Sequence, residues 1–485
     1  MGEEIIKFLN SSRSLLIAPA GYGKTTLLAE CISYLLPLIN KPILVLTHTH
    51  AGVASIKKKC SSIKSGRFLE ITTISGFAQR IVTTYSGHLP GSQKDGKPDF
   101  PKINHLARKI LHIPLVKRII GNSYSHVFVD EYQDCSWDQH VIISRASTQL
   151  PLHILGDPLQ AIFGFNDERM VDFQKDFEKY DIFKFLDIPW RWYQEGNNRY
   201  LGNTLSDIRT CLWNQEEISL NAPPIMFYRA DSTEDDFWNR FSKFITRLRS
   251  NNLLVIFPNG FEYQINTRAQ KRTQFDFTRE FSLIEAIDDK DFYNCARRID
   301  RYVLNPDKPV DIEMLIDILN KISFNKGDIQ EWFNDHGVKN KKSSADKQKA
   351  QALKEIFTNL INDKNDKRLV DLLTFLRYTL KFYPKRPELL SSILKVLRMK
   401  STDSIYNRMN LYRNQVRTIG RKLGKKCIGT TLLTKGLEYE DVIVIDAHKI
   451  EKREDMYVAL TRASKRLIVF SSSETWDPIT QAIKN

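Results

Sequence analysis

The sequence predicts a doubly wound α/β protein in two halves, and three observations carry that expectation. Short apolar runs of the kind buried parallel strands show alternate with helix-forming stretches through roughly the first 190 residues. The alternation stops near residue 260 and resumes near 426, with helical, lysine-rich sequence between, so a second α/β unit interrupted by a helical insertion is expected. Finally, Ser14 to Leu28 (SLLIAPAGYGKTTLL) reads as an apolar strand, a glycine-bearing loop and a helix that opens on Lys24-Thr25-Thr26.

That last stretch suits one task, holding a triphosphate. Gly21 and Gly23 let backbone N–H groups approach phosphates, Lys24 reaches the β/γ oxygens, and the Thr25 hydroxyl is a Mg²⁺ ligand. It is a Walker A loop in which Ala18 replaces the usual first glycine, and Ala20, Gly21, Tyr22, Gly23, Lys24, Thr25 and Thr26 are its nucleotide-binding candidates. ATP and Mg²⁺ are the ligands it implies.

The elements follow in order. Pro42 to Leu46 is a continuous apolar strand that ends at Thr47-His48-Thr49-His50, and a helix is expected through Ala54 to Lys59. A short strand, Phe68 to Thr72, leads into Thr73-Ile74-Ser75-Gly76-Phe77 and another helix. Ser86 to Lys102 reads as an inserted loop, with a helix around Leu106 to Leu111. The strand at His126 to Val129 delivers two acids, Asp130 and Glu131, at its C-terminal end, where α/β sheets carry their chemistry. Further strands are expected at Leu152 to Leu155 and at Phe183 to Ile188, the second running into Pro189-Trp190-Arg191-Trp192. Beyond them come one strand (Leu253 to Phe257) and helices at Asp291 to Leu304, Val310 to Ile322 and Lys349 to Phe382. The basic run Lys339 to Lys349 reads as a solvated loop. Strands return at Lys426 to Thr430 and Val442 to Asp446, followed by a helix at Asp455 to Ala463 and a strand at Leu467 to Phe470.

Composition is that of a globular chain of 485 residues with 42% hydrophobic content, enough to bury a large core. A net charge of +15 favours a polyanionic partner. Six cysteines lie far apart without a C-x-x-C pair, which points away from a disulfide framework and from a zinc or iron–sulfur site. The start, MGEEIIKFLN, lacks signal-peptide character and no run of about 18 apolar residues exists, so a cytoplasmic protein without membrane association is expected.

An ATPase needs a metal-holding acid and a residue that activates water, and Asp130 and Glu131 supply both. Charge at the γ-phosphate also calls for cations from outside the loop, for which Arg191 and Arg462 are suitable.

GYGKT, VDEYQD, GDPLQAIFGF, PWRW, TKGLEYEDVIV and YVALTRA, in this order, resemble the ordered motifs of UvrD/Rep/PcrA-type superfamily 1 DNA helicases, over about 14 to 192 and 426 to 471. The resemblance implies two RecA-like P-loop domains (1–80 with 120–190, and 191–264 with 411–485), a reduced insertion in the first (81–119) and a compact helical insertion in the second (265–410). It assigns Mg²⁺ to Thr25 and Asp130, the general base to Glu131, γ-phosphate sensing to Gln160, arginine fingers to Arg191 and Arg462, adenine stacking to Trp190 and ribose contact to Glu438 beside Gly436. Thr47, His48, His50, Ser75, Phe163 and Phe165 fall on its single-strand DNA path, the two phenylalanines as base-stacking plates.

Departures fall mostly on that path. His48 stands where a stacking Phe is usual, His50 where Asn is usual, Ser75 where His is usual, and Asn166-Asp167 replaces an Arg-Gly pair. No glutamine precedes Gln79, so the family's adenine-reading glutamine is missing. The length and layout also resemble the helicase subunit of Gabija-type antiphage systems, which partners an OLD-family nuclease. The expected function is an ATP-dependent 3′ to 5′ single-stranded DNA translocase or helicase working in a bacterial DNA-processing or defence complex. The alternatives are an ATP- and DNA-end-sensing subunit that gates a partner nuclease, and an RNA-directed enzyme of the same superfamily.

Overall fold

The computed structural model describes residues 2–483 except 64–65, 89, 91–98, 163–168, 174, 235, 260–280, 285–289, 306, 308–311, 323, 325, 383, 385–386 and 420–423. Two six-stranded sheets, each entirely parallel, form its two halves. The first half is built from β1 (Arg13–Ile17), β2 (Ile43–Thr47), β3 (Leu69–Thr73), β4 (His126–Asp130), β5 (Leu152–Gly156) and β6 (Asp181–Phe183), in the order β3-β2-β4-β5-β1-β6. The Walker loop therefore leaves the sheet beside the strand that ends in Gly156-Asp157 and one strand away from the one that ends in Asp130. Residues of β2 and β5 are buried throughout, as continuous apolar runs covered on both faces require.

The second sheet runs in the order Ser282–Leu283, Lys426–Thr430, Leu253–Phe257, Tyr439–Val444, Ala463–Ser471, Met226–Arg229. The two-residue strand Ser282–Leu283 belongs to this sheet although it lies inside the stretch expected as insertion, so the helical insertion begins after it. That insertion has its own apolar core, in which Leu315, Leu353, Leu372 and Ile393 are fully buried.

Several expectations change in detail. The loop expected over Ser86 to Lys102 gives way to a helix at Phe100–Ile110, and the helix expected at Asp455 to Ala463 is Arg453–Leu460, because the next strand already starts at Ala463. β6 is shorter and earlier than Phe183 to Ile188, because beyond Phe183 the chain leaves the ladder and Phe185 packs against Phe8, ring centres 6.4 Å apart. The helix expected over Lys349 to Phe382 is two helices, Ser344–Asn362 and Asp366–Thr374, the second capped by the Asn365 side chain accepting from Arg368 N at 3.0 Å. The basic run Lys339 to Lys349 is only partly a loop: from Ser344 it is helical, and Lys341 donates to the Glu331 carbonyl at 2.8 Å while lying over the Trp332 ring. The helix expected at Ala54 to Lys59 begins earlier, at His50, with Thr49 accepting from Gly52 N. No helix among the described residues is long and apolar enough to cross a membrane.

Candidate nucleotide cleft

The strand–loop–helix at Ser14 to Leu28 forms as expected, with the helix Lys24–Leu35 entered from Gly23. Gly21 and Gly23 have φ of 77° and 92°, a left-handed backbone that side chains resist. Gly21 is also crowded: a Cβ there would meet Trp192 at 2.8 Å and Arg191 Cβ at 2.9 Å. Gly21→Ala is therefore expected to combine about 1–2 kcal/mol of backbone strain with about 1–3 kcal/mol of overpacking. Loss of nucleotide affinity together with a lowered melting temperature would be the signature, and unchanged values of both would contradict this description of the loop.

The loop faces a cleft of about 440 Å³. Gly21, Gly23, Lys24, Thr25, Thr26, Asp130, Glu131 and Gln160 line it from the first half, and Trp190, Arg191, Gly436, Glu438 and Arg462 line it from the other side. Of the loop residues expected there, Ala20 also lines it, whereas Tyr22 turns away and donates to Ser206 Oγ at 2.9 Å. Lys24 is buried, its ammonium donating to the carbonyls of Ala18 (2.7 Å) and Pro19 (2.9 Å).

Thr25 Oγ1 donates to Asp130 Oδ2 at 3.2 Å, which brings the two expected metal ligands together. Burial, and then the neighbouring Glu131 charge, push the Asp130 carboxyl up to about 7. A buried carboxylate in that condition, beside a hydroxyl, suits a hard divalent cation, so the pair fits Mg²⁺. Glu131 stands in the left-handed region (φ 55°), an unusual backbone for a non-glycine residue. Its carboxylate accepts from Gln133 Nε2 at 2.5 Å.

The opposite wall carries the two arginines. Arg191 Nε lies 2.8 Å from Glu438 as an ion pair without hydrogen-bond alignment, and its Nη1 donates to the Thr461 carbonyl at 2.6 Å. Arg462 is fully buried and donates to the carbonyls of Val458 (2.8 Å) and Leu437 (3.2 Å) and to Thr461 Oγ1 (2.9 Å). Burial, and then the Arg191 charge, pull its guanidinium down to about 9, so it remains a cation at neutral pH. Two cations facing a triphosphate loop make the cleft a receptor for an anion. Trp190 is half-exposed at the mouth, free to offer a ring face.

Thr47 ends β2 in register with Asp130 on one side and Thr73 on the other, so Thr47, His50 and Ser75 emerge at the same sheet edge as the acids, outside the cleft lining. His48, expected on the DNA path, lines the nucleotide cleft. Burial and then the Lys435 charge pull its imidazole down to about 4, leaving it neutral at pH 7. Phe163 and Phe165 lie outside the described residues.

A family model described as an AAA domain matches residues 2–166. An ATP-dependent helicase/nuclease subunit from Alkaliphilus metalliredigens is 30% identical over 135 residues, covering 27% of this chain and 11% of that protein. The corresponding protein of Lactococcus lactis subsp. lactis is 27% identical over 158 residues, 31% of this chain and 13% of its own. Gabija protein GajB of Bacillus cereus is 28% identical over 223 residues, 37% of this chain and 44% of GajB. Over these stretches the chain is similar to ATP-dependent helicase/nuclease subunits and to GajB. It spans about a tenth of the helicase/nuclease proteins it matches and less than half of GajB. Among solved structures, the arterivirus nonstructural protein 10 helicase covers 96% of the chain at TM-score 0.37 and 9% identity, a likeness too weak to argue from.

The cleft also contains residues that sequence reasoning left without a role. Tyr457 OH accepts the Ala20 N–H at 3.1 Å, and Lys435 donates across the cleft to Asp134. Asp157 pairs with Arg209. Gln133, Asp134 and Lys435 sit inside motifs already quoted and could have been questioned there. Arg209 lies on the helix Arg199–Trp213, where nothing in the sequence marks it.

Proposed function

We propose that the chain is an ATP-driven single-stranded DNA translocase or helicase of UvrD type, moving 3′ to 5′ within a bacterial DNA-processing or antiphage complex. One observation carries the reading: a triphosphate loop and two strand-end acids face two arginines supplied from the far wall of a single cleft. Lys24 would leave the loop carbonyls for the β/γ oxygens. Glu131 would take the proton of a water attacking the γ-phosphorus; as that O–P bond forms, the bond to the bridging oxygen breaks and ADP leaves. Arg191 and Arg462 would stabilise the charge that develops. A magnesium ion held by Thr25 and Asp130 would neutralise phosphate oxygens. Trp190 would stack on the base and Glu438 would meet the ribose, with Gly436 (φ 78°) turning the backbone just ahead of Glu438.

Hydrolysis would open and close the halves, stepping bases past Thr47, His50, Ser75, Phe163 and Phe165. The net charge of +15 favours such a partner. A second reading is favoured by His48, which lines the nucleotide cleft where a track residue was expected: an ATP- and DNA-end-sensing subunit that gates a partner nuclease, such as one of the OLD family, with little unwinding of its own. Strand displacement from duplexes carrying a 3′ or a 5′ single-stranded tail, with ATP, separates them. Unwinding of the 3′-tailed substrate alone supports the motor with its polarity. Absence of unwinding on both, with DNA-dependent hydrolysis and copurification of a nuclease, supports the sensor.

A further inference from the structure

Gln160 is held at both its ends by contacts that lead to the far side of the cleft. Its side-chain amide donates to Asp157 Oδ2 at 2.9 Å, and Asp157 Oδ1 accepts from Arg209 Nη2 at 2.6 Å. Its backbone carbonyl accepts from Lys435 Nζ, which also donates to both Asp134 oxygens at 2.5 and 2.6 Å. All four charged groups are withdrawn from water: the side chains of Asp157, Arg209, Asp134 and Lys435 expose 0, 14, 3 and 7%. The cations come from elsewhere in the chain. The Arg209 helix packs against the strand Ala463–Ser471, and its guanidinium lies 5.7 Å from the centre of the Tyr457 ring. Lys435 precedes the strand Tyr439–Val444.

The grip extends to Glu131. Asp157 N donates to Gln133 Oε1 at 3.0 Å, and Gln133 Nε2 donates to the Glu131 carboxylate. An acid left buried without its cation is costly, so Lys435 and Arg209 from the second half stabilise Asp134 and Asp157 in these positions.

We propose that Arg209 and Lys435 are positioning residues for hydrolysis: closure of the second half brings two cations that fix Gln160, and through Gln133 also Glu131, against the γ-phosphate. Opening withdraws them and loosens both groups together. This rests on the hydrolase reading above and names the contacts through which domain closure reaches the reacting atoms.

The test is steady-state ATP hydrolysis in the presence of single-stranded DNA, with thermal melting alongside. Two paired variants, Arg209→Met with Asp157→Asn and Lys435→Met with Asp134→Asn, remove each ion pair without stranding a buried charge. Each is expected to lower kcat about 10²-fold, the scale of a small misplacement of reacting groups, while KM for ATP stays within about threefold. Arg209→Lys and Lys435→Arg should give intermediate kcat at the same KM. Wild-type kcat in both paired variants, or a change confined to KM, would overturn the proposal and leave the hydrolase reading standing. If a paired variant does not fold, the conservative variants decide: lowered kcat at constant KM supports positioning, and unchanged kcat refutes it. A wild-type protein that hydrolyses no ATP would instead remove the hydrolase reading itself.

Discussion

Arg462→Ala is expected to lower ATP turnover by about 10³-fold, the range seen when an arginine that stabilises a transferring phosphoryl group is removed. The side chain is fully buried and three of its five N–H donors are engaged by Val458, Leu437 and Thr461, so it is held in place before any phosphate arrives, with two N–H groups left to meet it. Such a group contributes to the transition state without first being ordered. The deletion also leaves the Val458 and Leu437 carbonyls without this donor, which is expected to lower stability by about 1–3 kcal/mol. Arg462→Lys separates the two effects. It keeps the charge but not the planar fork, and should recover more stability than turnover. Turnover rates of Arg462→Ala within tenfold of wild type, measured well below its melting temperature, would remove Arg462 from the reaction.

Lys24→Met should act mainly on binding. The ammonium rests on the Ala18 and Pro19 carbonyls at 2.7 and 2.9 Å, a ready position from which it can swing to phosphate oxygens. A charged hydrogen bond lost from a buried site corresponds to about 1.5–3 kcal/mol, or roughly 10–100-fold in affinity for ATP. Titration with a fluorescent ATP analogue measures it directly. Equal affinity for the analogue in Lys24→Met and wild type would mean that the triphosphate binds elsewhere.

Much of this site was legible because each strand of a parallel sheet delivers its chemistry at the same edge. The apolar runs ending at Ile17, Thr47, Asp130 and Gly156 were readable one by one, and parallel pairing then had to gather Lys24, Asp130, Glu131 and Gln160. Other features carry no local signature. Ser282–Leu283 is too short to show a period, and joins the second sheet only because Lys426–Thr430 offers it an edge. Asn362 to Asn365 breaks a helix through side-chain capping, while the residues on both sides retain helical spacing. An arginine on an amphipathic helix looks alike whether it faces water or a buried acid. Arg209 meets Asp157, 52 residues away, and only the folded chain shows it. The same holds for His48, whose placement beside Lys435 depends on how the two halves meet.

The central claim is that this cleft hydrolyses ATP under the control of single-stranded DNA. Hydrolysis by wild type and by Glu131→Gln, each with and without single-stranded DNA, tests it most directly. The wild-type rate is expected to rise severalfold or more with DNA. The variant should bind ATP normally yet lose about 10²–10⁴-fold in rate, the usual contribution of a positioned general base. A wild-type rate indifferent to DNA, or a Glu131→Gln rate equal to wild type, would contradict it.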